Sequence, residues 1–177
     1  GKSSIAANLA VSLAKGGHHV LMIDADIRKP SLHRILNMEP AHSLNAALQG
    51  QGLEKGSRAQ RTLPYGCALQ QQDLENAEKL LGSEQMKTLL TEAKDAYEFV
   101  IVDTSPAAGL SDPLIVCEHC DASLLVIRQN LAGARRINDT IERLVTVRNN
   151  LIGSHLQRRC LRSAQAEQKA YGYRYRY

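Results

Sequence analysis

The chain has 177 residues, of which 44% are hydrophobic, and this length allows one sizeable core and therefore one main domain. It contains no apolar stretch of the roughly 20 residues needed to span a bilayer and no visible signal peptide, so the chain as printed is predicted to be soluble, with anything upstream of Gly1 left open. The net charge of +4 is uneven, because residues 151–177 hold six Arg or Lys against one Glu. Such a basic end could meet nucleic acid, an anionic membrane or an acidic protein, or could be a solvated, disordered tail.

The first predicted element is a phosphate-binding turn followed by an amphipathic helix. Gly1, Lys2, Ser3 and Ser4 precede apolar residues at helical spacing, and the helix is predicted to end at a glycine pair. The four residues match the final half of the P-loop pattern G-x-x-x-x-G-K-[ST]. A helix N-terminus presents free backbone N–H groups to phosphate, a lysine neutralises phosphate oxygens, and a hydroxyl can ligate Mg²⁺. A match this short also arises by chance.

The next predicted element is a buried strand that ends in two carboxylates. Residues 20–23 are apolar, Asp24 and Asp26 follow, and residues 28–30 are Arg-Lys-Pro. Because open α/β sheets bind ligands beyond the carboxyl ends of their strands, the two aspartates are predicted to lie at a site. The alternative is a solvated turn in which one of the aspartates caps the next segment.

A second acid-ended strand is predicted later in the chain. Residues 99–102 are apolar and lead into Asp103, as in the Walker B strands that hold Mg²⁺ in P-loop proteins. The P-loop half and two acid-ended strands, in this order, favour nucleotide binding far more than any one of them does. The other predictions up to this strand are helical pieces at residues 31–36, 44–48, 77–81 and 84–94, a loop at 49–61, a strand around 66–69, and Leu80, Leu81, Met86, Leu89 and Leu90 as core candidates.

Helices and strands are predicted to alternate to the end of the domain. Beyond Asp103 the pattern indicates a helix from residue 111 to 120, an apolar strand at 122–127 and a helix at 134–148. This alternation predicts an α/β fold with a mainly parallel sheet covered by helices on both faces. The pattern stops at Ser154, so residues 1–153 are predicted to form the domain and 154–177 the tail.

The four cysteines, at positions 67, 117, 120 and 160, give no disulfide framework in a chain of this size and fit a reducing cytosol. Cys117 and Cys120 have a CxxC spacing around His119, yet no second pair supplies the remaining ligands of a zinc site. The favoured interpretation is a helix whose cysteine face packs inward.

The last seven residues contain four tyrosines, Tyr171, Tyr173, Tyr175 and Tyr177. No packing role follows from this pattern. The residues leave three alternatives open: an added edge strand, a surface that stacks on single-stranded nucleic acid, and a set of phosphate acceptors that enter a neighbour's active site.

Together these residues resemble the cytoplasmic kinase domain of the bacterial tyrosine kinases (BY-kinases), P-loop autokinases that regulate capsular and exopolysaccharide synthesis. Gly1-Lys2-Ser3 is similar to the end of the family's Walker A motif, and Asp-Ala-Asp-Ile-Arg-Lys-Pro-Ser at 24–31 to its Walker A′ motif. Residues 99–106 resemble its Walker B motif, residues 76–83 with Met86 the segment before it, and the terminal tyrosines its tyrosine cluster. The resemblance covers roughly residues 1–148 and the tail, and implies a P-loop NTPase fold of the MinD/ParA type.

The resemblance implies ATP and Mg²⁺ as cofactors and gives each motif residue a role. ATP would be bound by Gly1, Lys2, Ser3 and Ser4, Mg²⁺ would be surrounded by Ser3, Asp24, Asp26 and Asp103, and Lys2, Asp24 and Asp26 would be catalytic. Asp24 is the favoured acceptor of the tyrosine proton, although the choice between Asp24 and Asp26 stays open. A base is needed because a tyrosine hydroxyl, with its ordinary pKa near 10, is a poor nucleophile.

The resemblance also implies how the protein is assembled. The tail tyrosines would be phosphorylated in trans within a homo-oligomeric ring at the cytoplasmic face of the membrane, with a transmembrane activator fused upstream or on a separate chain. Other protein tyrosines are expected substrates, and no nucleic-acid partner is expected. Each phosphate adds about −1.5 to −2 charges, so phosphorylation would invert the sign of the tail and release the ring.

The sequence departs from the family pattern at both ends. A first strand and the front half of the P-loop are expected before Gly1, so the chain as printed is expected to be N-terminally truncated and inactive alone. After Gly153 the family continues an apolar strand that ends in asparagine, whereas Ser-His-Leu-Gln-Arg-Arg stands here. The residues that contact the adenine base of ATP are therefore left unassigned.

Two other functions are compatible with these residues. A MinD/ParA-type ATPase switch shares the fold, the P-loop and the acids but transfers no phosphate to protein. An assembly subunit with a degenerate ATP site needs no catalysis, and the truncated start gives this alternative some weight. The tyrosine cluster and Arg28-Lys29-Pro30 favour the kinase over the switch.

Overall fold

The computed structural model describes residues 1–37, 42–43, 65–67, 77–147 and 150–157. Its helices and strands, in chain order, are α1 (Lys2–Lys15), β1 (Val20–Ala25), α2 (Leu32–Leu36), β2 (His42–Ser43), β3 (Tyr65–Cys67), α3 (Ala77–Leu81), α4 (Glu84–Ala96), β4 (Phe99–Thr104), α5 (Asp112–Cys117), β5 (Ser123–Arg128), α6 (Ala134–Thr146) and β6 (Leu151–Gln157). The predicted alternation of helix and strand is confirmed. In the described part of the chain, no helix has the length and apolar character required to cross a bilayer.

The described strands form two parallel sheets. One has the order β2-β3-β1-β4, and the other pairs β5 with β6. No ladder between described residues joins β4 to β5, so the one sheet expected from the sequence is divided in two. β1 and β4 pair along their full length, from Val20 opposite Phe99 to Ala25 opposite Thr104. The carboxyl ends of these two strands therefore lie at the same edge of the sheet.

β1 lies between β3 and β4 in the larger sheet, and both of its faces are buried. Val20 and Met22 belong to a core cluster with residues of α1 and α2, whereas Leu21 and Ile23 belong to a second cluster with residues of α3, α4 and α5. Burial on both faces explains why the strand is a continuous apolar run rather than an alternating pattern. Helices cover both faces of this sheet, as the sequence predicted.

α4 begins at a serine cap. The Ser83 Oγ accepts a hydrogen bond from the Met86 backbone N–H at 3.2 Å and donates one to the Leu80 carbonyl at 2.7 Å. Because the first N–H groups of a helix lack internal partners, we expect Ser83→Ala to lower the free energy of unfolding by roughly 1 kcal/mol. Urea denaturation would measure the loss. Ser83→Thr, which keeps the hydroxyl, is the control, and equal losses in the two variants would contradict the capping role.

The last strand shows where the sequence prediction was wrong. β6 runs from Leu151 to Gln157 and pairs with β5, so the alternation of helices and strands does not stop at Ser154 as predicted. Backbone N–H and C=O groups form this ladder, and polar side chains on an exposed strand do not prevent it. The strand predicted around residues 66–69 lies at Tyr65–Cys67. The helix predicted at 44–48, the loop at 49–61 and residues 158–177 of the tail lie outside the described residues, and the division into domain and tail stays a prediction.

Cys117 is the last residue of α5 and Cys120 lies three residues beyond it, so the helix predicted to reach residue 120 ends earlier; both cysteines are partly buried. Burial raises the pKa of the Cys117 thiol, and it raises the pKa of the Cys120 thiol to about 11. Cys120 packs against the core cluster that contains Leu21 and Ile23. A thiol with a raised pKa carries little reactive thiolate at neutral pH, which supports the packing interpretation.

Candidate active site

The two acid-ended strands bring their aspartates together at the carboxyl edge of the sheet. Asp24 on β1 lies opposite Asp103 on β4 in the parallel ladder, and strands so paired lie about 4.8 Å apart. Asp24 is 0% exposed and Asp103 is 3% exposed. Burial raises the pKa of both carboxyl groups, that of Asp103 to about 6. Neighbouring buried acids with raised pKa values are typical of a functional site.

Asp103 has a carboxylate oxygen that lacks a partner. Its Oδ2 is buried and accepts no hydrogen bond from the described residues. The Ser3 hydroxyl, by hydrogen bonding, and the Lys2 charge lower the pKa of Asp103, but the desolvation that raises it is larger. An unpartnered buried carboxylate oxygen is costly in free energy, and a divalent cation would remove that cost. The Asp103 oxygen and the Ser3 hydroxyl therefore fit a Mg²⁺ ion.

The start of α1 lies beside these carboxylates. Gly1 is its N-cap, no side chain caps its first turn, and that turn contains no acidic residue. The positive end of the helix dipole and the N–H groups of the first turn are thus suited to an anion. Lys2 acts through its charge on both Asp26 and Asp103. The arrangement fits a phosphate group held next to a metal ion.

Asp24 also anchors the loop that follows β1. Its Oδ2 accepts hydrogen bonds from the backbone N–H groups of Ser31 and Leu32, at 2.9 and 3.0 Å, and its Oδ1 accepts one from Asp26 at 3.2 Å. Burial nevertheless raises the pKa of Asp24, because the three bonds only partly offset desolvation. Asp24 thus caps the next segment, as the alternative from the sequence had it, but it does so as a buried carboxylate and not in a solvated turn.

Asp26 accepts fewer hydrogen bonds from the described residues than Asp24 does. It is 7% exposed, and its Oδ1 accepts a hydrogen bond from the Lys29 backbone N–H at 3.0 Å. Desolvation raises its pKa, while the Lys29 bond and the Lys2 charge lower it. Among the described residues one backbone N–H donates to the Asp26 carboxylate, against three to that of Asp24, so Asp26 keeps more lone pairs with which to accept a proton.

The structure connects Asp112 and Ser105, for which no role was predicted, to the loop after β1. Arg28 donates to both carboxylate oxygens of Asp112, from Nε to Oδ2 at 2.7 Å and from Nη2 to Oδ1 at 3.2 Å. The Ser105 Oγ donates to Oδ2 of Asp112 at 3.3 Å. The sequence predicted only that a helix begins at residue 111, and nothing in that pattern identified an arginine 84 positions earlier.

The structure thus gathers the predicted residues of the first helix and of both strands at one edge of the larger sheet. These residues are Gly1, Lys2, Ser3, Ser4, Asp24, Asp26 and Asp103. Their individual roles stay predictions, and the four tail tyrosines lie outside the described residues. Within the described part of the chain, no group of three or more His, Cys, Asp or Glu side chains forms a metal site by itself, and the predicted Mg²⁺ ligands include a serine.

Comparison with known sequences gives consistent matches. A family model described as "AAA domain" matches residues 1–157. The chain is 33% identical over 174 residues to the tyrosine-protein kinase YwqD of Bacillus subtilis (strain 168), an alignment that covers 98% of the chain and 72% of that protein. It is 32% identical over 159 residues to the succinoglycan biosynthesis transport protein ExoP of Rhizobium meliloti (strain 1021), covering 86% of the chain and 20% of that protein.

Solved structures agree with the sequence matches. The kinase domain of the Escherichia coli tyrosine kinase ETK superposes with a TM-score of 0.73 at 28% identity, covering 98% of this chain and 66% of that domain. The MinC:MinD cell division protein complex of Aquifex aeolicus matches with a TM-score of 0.68 at 23% identity, covering 96% and 68%. The second likeness shows the fold alone. The P-loop fold of the MinD/ParA type predicted from the sequence is thus confirmed.

Proposed function

The chain belongs to the AAA domain family and, within it, to the bacterial tyrosine kinases, and on this premise we propose that it is the catalytic domain of a protein-tyrosine autokinase. The observation that carries the proposal is the ladder that sets Asp24 beside Asp103 next to the start of α1. The similarity to a succinoglycan biosynthesis transport protein supports a role in capsular or exopolysaccharide synthesis and export. The chain spans about a fifth of that relative, so the activity of the whole protein is part of the proposal.

The proposed reaction transfers the γ-phosphoryl group of ATP to a tyrosine oxygen. The bond between the γ-phosphorus and the bridging oxygen of ADP breaks, a bond from the tyrosine oxygen to phosphorus forms, and the tyrosine proton passes to a carboxylate. Mg-ATP, when bound, supplies the phosphoryl group and neutralises charge. Lys2 and the first N–H groups of α1 would hold phosphate oxygens, and Ser3 and Asp103 would hold Mg²⁺.

The two aspartates after β1 receive different roles in this proposal. Asp26 accepts the tyrosine proton, because among the described residues its carboxylate has one backbone hydrogen bond against three on that of Asp24. Asp24 holds the loop in place and, with Asp26, would help to hold Mg²⁺. This assignment reverses the preference for Asp24 as the proton acceptor that the family resemblance gave.

The proposed acceptors are Tyr171, Tyr173, Tyr175 and Tyr177 of a neighbouring subunit. Transfer in trans implies a homo-oligomer, for which a ring at the cytoplasmic face of the membrane is proposed. A transmembrane activator, fused or separate, and other protein tyrosine substrates complete the proposed partners, and nucleic acid is not among them. Phosphates on the tail would replace its positive charge by negative charge and so weaken the ring.

Mixing two versions of the full-length protein tests the transfer. One version keeps the active site but carries the four tail tyrosines as phenylalanine, and the other keeps the tyrosines but carries Lys2→Met. After incubation with Mg-ATP and the activator, we expect mass spectrometry to find phosphotyrosine on the tail of the Lys2→Met version. The Lys2→Met version alone is the control and should remain unphosphorylated.

Other outcomes would contradict the kinase. ATP hydrolysis without phosphotyrosine would favour the ATPase switch, and absence of both activities would favour the assembly subunit. The version with four phenylalanines should bind ATP as the unmodified protein does. If it did not, the tail would have a structural role and its assignment as phosphate acceptor would fail.

A further inference from the structure

Arg28 and Asp112 form a two-point ion pair close to the candidate active site. The guanidinium donates to both oxygens of the carboxylate, at 2.7 and 3.2 Å. The Asp112 side chain is 1% exposed and that of Arg28 is 32% exposed, so the contact is shielded from water on the acid side. Paired geometry of this kind fixes the relative position of the two side chains more strictly than a single bond does.

The pair lies between the two segments that carry the site carboxylates. Arg28 follows Asp26 by two residues in a turn that the Lys29 backbone N–H closes on the carbonyl and the carboxylate of Asp26. Ser105 follows Asp103 by two residues, and its hydroxyl donates to the same Asp112 carboxylate at 3.3 Å. The buried Asp112 carboxylate therefore connects the Asp26 turn to the end of β4.

We infer that Arg28 and Asp112 are positioning residues, which set the distance between the Asp26 and Asp103 carboxylates and thereby the affinity of the site for Mg²⁺. Neither residue is proposed to touch the reacting atoms. Both act through the backbone segments that they join. The inference rests on the magnesium nucleotide site proposed above. It adds two residues that influence the Mg²⁺ affinity of that site without being among its predicted ligands.

Magnesium-dependent nucleotide binding tests the inference without requiring phosphate transfer. In the full-length protein, a fluorescent ADP analogue is titrated with Mg²⁺, and the Mg²⁺ concentration for half-maximal binding is compared between variants. We expect Arg28→Gln and Asp112→Asn to raise this concentration about tenfold, as loss of outer-shell support does at other metal sites. Binding of the analogue in EDTA should not change, because the first turn of α1 is untouched.

Two further variants separate positioning from stability alone. Arg34→Gln removes the same charge from an exposed arginine of α2, which donates to the Pro30 carbonyl, and should leave the Mg²⁺ requirement unchanged. Arg28→Lys keeps the charge but not the two-point contact, so it should give an intermediate requirement.

An unchanged Mg²⁺ requirement in folded Arg28→Gln protein would overturn the inference and leave the pair a role in stability only. If Arg28→Gln did not fold, the Mg²⁺ requirements of Asp112→Asn and Arg28→Lys would test the inference instead. An unchanged requirement in both of these variants would overturn it. If Mg²⁺ did not strengthen binding of the analogue to the unmodified protein above its level in EDTA, the inference would also be overturned. A protein that binds magnesium nucleotide but transfers no phosphate would contradict the proposed kinase and would leave this comparison valid.

Discussion

Replacing Asp103 by asparagine is expected to lower tyrosine phosphorylation by roughly a hundredfold to a thousandfold while stabilising the nucleotide-free protein at neutral pH. The activity falls because the amide removes the negative charge that the buried Oδ2 offers to Mg²⁺. The stability rises because the variant no longer ionises a desolvated group. A change that only damaged the fold would lower both quantities.

The pH dependence of the stability gain follows from the pKa of Asp103. Burial raises this pKa from 3.8 to about 6, so the folded protein holds the proton more tightly than the unfolded chain does. Ionisation therefore costs no stability below about pH 3.8, costs progressively more between pH 3.8 and 6, and costs its full amount above pH 6. Each pKa unit corresponds to about 1.4 kcal/mol, so we expect Asp103→Asn to gain roughly 1–3 kcal/mol at pH 7.5.

Urea denaturation of the two proteins at pH 4 and pH 7.5, without nucleotide or magnesium, measures this gain. The curves should nearly coincide at pH 4 and separate at pH 7.5. Asp95→Asn, a change of the same type at an exposed position of α4, is the control and should alter neither stability nor phosphorylation. Equal stability of Asp103→Asn and the unmodified protein at pH 7.5 would show that ionisation of the buried Asp103 carboxyl group does not destabilise the fold.

Much of this site could be predicted because its parts are local in sequence. The apolar run before Asp24, the run before Asp103 and the Gly-Lys-Ser turn each reflect one physical requirement, namely a buried strand or a helix start suited to phosphate. Because strands that alternate with helices form a parallel sheet, the carboxyl ends of the two strands are placed at one edge of that sheet. The ladder that sets Asp24 opposite Asp103 agrees with that reasoning.

What could not be predicted depends on contacts between distant or irregular segments. The Arg28–Asp112 pair joins residues 84 positions apart, and no periodicity relates them. The polar strand up to Gln157 forms because β5 offers a partner, which side-chain patterns do not reveal. The backbone bonds to Asp24 depend on the path of the loop up to Leu32, so sequence alone could not distinguish an anchor from a base.

Substitution of Asp24 and Asp26 by alanine is expected to separate these two roles. Asp24→Ala leaves three backbone N–H groups without their acceptor, two of them at the start of α2, and should lower the free energy of unfolding by roughly 2–4 kcal/mol, since relief of desolvation offsets only part of this loss. Asp26→Ala removes the acceptor of one backbone N–H and should cost roughly 1 kcal/mol or less, since relief of desolvation offsets part of the loss.

The isosteric pair Asp24→Asn and Asp26→Asn then tests the chemistry in proteins that keep their shape. We expect Asp26→Asn to lower kcat roughly a hundredfold with little change in Tm, because it removes the proposed proton acceptor and keeps an oxygen for Lys29. Asp24→Asn should lower Tm and kcat together, because its amide N–H₂ would face backbone N–H donors. If Asp24→Asn instead lost activity at unchanged Tm while Asp26→Asn stayed active, Asp24 would be the base, and its backbone bonds would serve to orient it.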